Sequence, residues 1–141
     1  MFALFKQLAQ KHQQKKNLTV FLAEMEKNLE TFYVMDQRQF ITQGFLLKSW
    51  EAVKNEPLVT KHESILVCIR AFEDFNRLFK GLKEFESWYT SDMQRKTPEN
   101  ARKLHSMKHE LDKKLKAMEA IIIPAGQALE REMLQLGLLK T

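Results

Sequence analysis

Two histidines, His105 and His109, stand four residues apart in a run of helix-forming residues. On a helix that spacing puts both rings on one face, where they can share a metal ion. Their neighbours argue against it. Arg102, Lys113 and Lys116 fall on the same face with no well-placed carboxylate, and positive charge repels a cation. The group Arg102, His105, His109, Lys113 and Lys116 reads first as a solvated face. Its second reading is an electrostatic footprint for nucleic acid or another acidic partner. No aromatic-rich reading motif accompanies it.

Other chemistries find less. A di-iron or di-manganese bundle needs Glu-x-x-His pairs, and no Glu in the chain is followed by His three residues on. Cys68 is the one cysteine, so it has no intramolecular disulfide partner. It recurs with Ile65 and Phe72 at helical spacing on an apolar seam, where a thiol is normally inert. No Gly-rich phosphate loop, nucleophile elbow or zinc-ligand cysteine pattern is present. No catalytic, cofactor or metal residue is therefore assigned, and the expectation is a protein that is not an enzyme.

The stretch YVMDQRQF, Tyr33 to Phe40, poses a different question, because Asp36, Gln37, Arg38 and Gln39 interrupt an apolar seam. Asp36 and Gln39 have capping-box spacing, with Met35 and Phe40 as a flanking hydrophobic staple. Alternatively the helix runs on and the polar residues enter a bundle. Folding three long helices up, down and up places Asp36 level with Phe79 and Lys108. A polar layer of Asp36, Gln39 and Asn76, with Arg77 or Lys108 supplying positive charge, then crosses the interior. Such a layer fixes register better than it stabilises. Metal or small-ligand binding within it is a third functional reading.

The elements that position these residues come from the apolar spacing. Leu18, Leu22, Met25, Leu29 and Phe32 hold one seam, and Ile65, Phe72, Phe75, Phe79 and Leu82 a second. Leu104, Leu111, Leu115, Met118 and Ile122 form a third. Steps of three and four are the mark of helices packed at shallow angles. Pro57 ends one stretch, with Thr60 and Glu63 as a capping box for the next. Thr97 caps the last, with Pro98 at its first position. Pro124, inside a continuing seam, predicts a kink.

The expectation is one all-α domain over 1–141, an antiparallel up-down helical bundle. It has a short amphipathic helix at 1–16 and three long, kinked helices at 17–54, 60–90 and 98–139. A single cysteine and the lack of any apolar run of membrane-spanning length suit a soluble cytoplasmic protein.

Charge and the chain ends supply the functional expectation. Residues 1–16 hold four lysines and no acid, +4 in a chain of net +5. That end also carries Phe2, Leu4, Phe5 and Leu8. In the expected register the third helix outruns the bundle beyond about residue 126, leaving Leu129, Met133 and Leu136 to spare. Apolar ends without a place in the core serve as interfaces. Phe2, Phe5, Leu129, Met133 and Leu136 are thus the predicted contacts of a homo-oligomer or of a protein partner. A basic helix this short holds a membrane only weakly, so peripheral membrane contact is not expected.

Overall fold

Apolar seams at helical spacing fold as helices in the computed structural model, which describes residues 2–137 and has no strand among them. In chain order they are α1 (Phe2–Arg38), α2 (Trp50–Val53), α3 (Pro57–Thr60), α4 (Glu63–Thr90), α5 (Pro98–Ala117) and α6 (Glu119–Gln135). Leu138 and Leu139, placed by the sequence in the last helix, lie outside the described residues. The protein is all-α, and none of its described helices is long and apolar enough to cross a membrane.

The first correction concerns α1. The separate helix expected at 1–16 is continuous with the seam that begins at Leu18, giving 37 residues in one rod, about 55 Å at 1.5 Å per residue. The helix expected to run to residue 54 stops at Arg38. Gln39 takes a left-handed φ of 54°, and the Phe40 N–H donates back to the Met35 carbonyl at 3.2 Å. That is a helix C-terminus closed by a left-handed residue, with glutamine where glycine is usual. YVMDQRQF is therefore an exit from a helix, neither a new cap nor an interior layer. Phe40 is 67% exposed, so no staple forms with the buried Met35.

Beyond this exit a non-helical strap, residues 40–49, returns along α1. Glu24, Asn28 and Thr31 project from one side of α1 at helical spacing. They hold Ser49, Leu46 and Gln43 respectively. Numbers rise on one side and fall on the other, so the strap runs back toward the start of the bundle. Asn28 binds the backbone of Leu46 twice, donating to its carbonyl at 2.7 Å and accepting from its N–H at 2.8 Å. Asn76 of α4 grips the adjacent Phe45 in the same way, at 2.8 Å and 2.7 Å. Successive residues of an extended chain turn their N–H and C=O groups to opposite sides. Two carboxamides thus satisfy the strap as neighbouring strands would, one from each flanking helix. Between them Phe45 drops into the core and stacks on Phe72, centroids 4.2 Å apart.

The strap also decides topology. Ion pairs or bonds Lys108–Glu86, Lys114–Asp74 and His62–Glu132 show α4 running opposite to α5 and α6. Leu29 meets Gly126, while Leu18 lies by Leu136, so α1 also opposes α6. Hence α1 and α4 run the same way. The sequence-based alignment placed them antiparallel, because it omitted a strap that carries the chain back before α4 begins. Near Gln39 and Ile41 the two alignments cross, which is why that segment still meets Phe79 and Lys108.

Caps and prolines give mixed results. Thr97 accepts from the Asn100 N–H at 3.2 Å with Pro98 at the first helical position, as its sequence predicts. Thr60 does not cap α4; it ends the single turn α3 that Pro57 begins, and His62 occupies the cap position instead. The chain is interrupted at Met118, between α5 and α6, and Pro124 sits inside α6. A proline crowds the carbonyl four residues before it, here Ala120, so the break at Met118 lies beyond its direct reach and α6 continues through Pro124.

Candidate interaction surfaces

The basic stripe survives as a surface. Arg102, His105, His109, Lys113 and Lys116 are all exposed along α5. Its first turn carries Glu99 and its last turn Lys114 and Lys116, a charge order that suits the helix dipole. Among the described residues, no three His, Cys, Asp or Glu side chains converge to hold a metal.

The five residues expected to form a polar layer do not assemble. Asn76 is occupied by the strap. Arg77 turns outward to Asp74 at 2.7 Å, and Lys108 reaches Glu86 at 3.4 Å. Asp36 is half-buried and has no ion pair or side-chain hydrogen bond among the described residues. Gln39 and Lys108 do share an open cleft of about 330 Å³ with Phe79, Leu82 and Leu111. Its charges answer one another, since Lys83 and Lys108 both approach Glu86, at 3.8 and 3.4 Å.

Two buried titratable groups complete the interior. Glu132, 3% exposed, accepts from His62 Nε2 at 2.7 Å and Lys61 Nζ at 3.0 Å. Its second oxygen, Oε2, is buried without a partner. Burial alone raises a carboxyl pKa. Here the bonds from His62 and Lys61, with their positive charges, outweigh it and lower the value. The spacing separates Glu132 from the exposed Glu130: Glu132 lies three residues past Leu129 and four before Leu136, on the apolar seam, where a charged residue requires a bonded partner. Cys68 is buried as expected, and desolvation pushes its thiol up to about 12, leaving almost no thiolate at neutral pH.

The two chain ends behave differently. Leu129 and Met133 are buried, and Leu136 packs against the same core. These three are not spare contacts: α1 runs antiparallel to α6, so the end of α6 lies along α1 from Leu29 back to Leu18 and does not pass beyond the end of the first helix. The other end projects. Every residue from Ala3 to Lys16 is exposed, with Phe5 at 65% and Leu4 at 59%. Phe2 opens the helix, but its side chain lies outside the described residues. This arm reaches about 22 Å past the packed part of α1 at 1.5 Å per residue.

The chain finds no match among family models, curated proteins or solved structures.

Proposed function

We propose that the chain is a non-enzymatic protein–protein interaction or assembly module that self-associates through the N-terminal arm of α1. In this reading α1, α4 and the α5–α6 pair are the three long rods of a bundle, and the arm is its docking element. The observation that carries it is the exposure of Leu4, Phe5 and Leu8 on a helix continuous with the folded body. Apolar side chains on an unpartnered helix gain most when another chain covers them. The body holds the arm's base in helical form, so little ordering entropy remains to oppose binding.

Light scattering on the full chain tests it. The parent should associate at micromolar concentration, and Leu4→Glu with Leu8→Glu should return it to monomer without loss of helicity. A parent that stays monomeric would remove the reading.

A second reading rests on the exposed α5 stripe, which has the charge to bind an acidic partner or nucleic acid. Binding to a short nucleic-acid duplex should then weaken steeply with salt. It should also fall when Lys113 and Lys116 become glutamate. Salt-independent binding, or none, counts against it.

A further inference from the structure

A docking arm needs a surface to receive it. Between α1 and α6 lies a groove of about 160 Å³ whose floor includes Leu22, Leu29 and Met133. Glu26 stands on its α1 bank and Glu130 on its α6 bank, both exposed. Gly126 lies on the groove's α6 side opposite Leu29, where an added Cβ would sit 3.6 Å from the Leu29 side chain. An apolar floor between two acids suits a helix with apolar residues and lysine on one side.

The arm is such a helix. Leu4, Leu8, Lys11 and Lys15 recur at steps of four and three, and so form one stripe. Residues eighteen apart on a helix point the same way, because eighteen residues make about five turns. Leu4 therefore aligns with Leu22, Leu8 with Glu26, and Lys11 with Leu29. The stripe and the groove's α1 bank are two stretches of one side of one continuous helix. The core face, centred on Phe21, Met25 and Phe32, adjoins this side, and Leu18 and Leu22 at the border are themselves buried. The arm thus cannot cover its own body without breaking α1.

We infer that the groove is filled by the arm of a second copy, reciprocally, in a two-fold dimer with the α1 helices antiparallel. Laid against itself in reverse, the stripe pairs Leu8 with the partner's Leu29 and Lys11 with the partner's Glu26. Glu130 lies on the opposite bank near the same level. Leu4 then meets the partner's Tyr33, which is 52% exposed. The two-fold axis passes near Leu18 and Thr19, and every contact occurs twice. Such an interface closes on itself and stops at two copies.

This inference rests on the self-association reading, and the test separates their failures. All the substituted positions are exposed, so helicity by circular dichroism should stay at the parent level. Sedimentation should show K11E alone, and E26K alone, dimerising about a hundredfold more weakly than the parent, because like charges then oppose each other. Mixing K11E with E26K restores opposite charges at both contacts, because one chain then carries two acids and the other two lysines, and should recover a heterodimer that neither variant's own dimer matches in affinity. If E26K dimerises like the parent while L4E/L8E does not, the arm docks elsewhere and the groove assignment is wrong. Mixed variants that remain monomeric overturn it equally. A parent that is monomeric but binds vesicles rich in anionic lipid overturns both readings in favour of a membrane surface.

Discussion

Asn76→Ala should lower the free energy of unfolding by about 2–4 kcal/mol, seen as a lower urea midpoint at unchanged slope. The carboxamide both donates to and accepts from the backbone of Phe45, whose side chain is buried. Alanine takes away both partners at once and leaves an N–H and a C=O facing the interior side of the strap. Each orphaned group costs about 1–3 kcal/mol, less where water reaches it. Asn76→Asp should fail in a characteristic way. It keeps an acceptor for the Phe45 N–H but sets a carboxylate oxygen against the Phe45 carbonyl. Gly44→Ala approaches the same clamp from the strap, because an added Cβ would lie 2.6 Å from Asn76 Oδ1. One or the other must move, and the clamp loosens. If all three variants unfold like the parent, the strap is held by Phe45 packing alone.

The strap also marks where sequence reading stopped. Helix type was legible because the seams through Leu22, Phe72 and Leu115 repeat regularly, and because Thr97–Pro98 is a local signal that needs no tertiary partner. The strap has no such signal. Its order comes from side chains more than ten residues away in sequence, and its exit residue is Gln39 in a conformation that glycine would have advertised. Asn28 could have been noticed: it sits on the seam between Met25 and Phe32, where a polar residue requires a bonded partner. Glu24 and Thr31 at four and three residues from it complete a row able to hold a returning chain. Missing that row made one helix of 17–54, reversed α1 against α4, and left Leu129 and Met133 without a core. The five residues of the expected polar layer were scattered by the same error, except where the two alignments cross. The α5 stripe points outward as its spacing implied, because that depends on one helix alone. The arm, expected as a separate short helix, is exposed from Ala3 to Lys16 as the start of α1.

Glu132 offers the second large effect. Glu132→Ala should destabilise the protein by about 2–3 kcal/mol at neutral pH, since it leaves His62 18% exposed and unpaired beside the core. Removing one member of a fully buried pair costs about 3–5 kcal/mol. The smaller figure allows for Lys61, which is 47% exposed and can turn to water. The pH dependence is specific. The Glu132 pKa is lower in the folded state than in the unfolded chain, where a glutamate titrates near about 4.3. Its contribution is therefore complete above that value and lost as pH falls through the lower, folded one. The stability gap between parent and Glu132→Gln should be widest near neutrality and close under acid. Glutamine retains the shape of the side chain but cannot carry the negative charge that pairs with Lys61 and His62. A gap that stays constant from pH 7 to pH 3 would mean that packing, and not the carboxylate, joins the end of α6 to the start of α4.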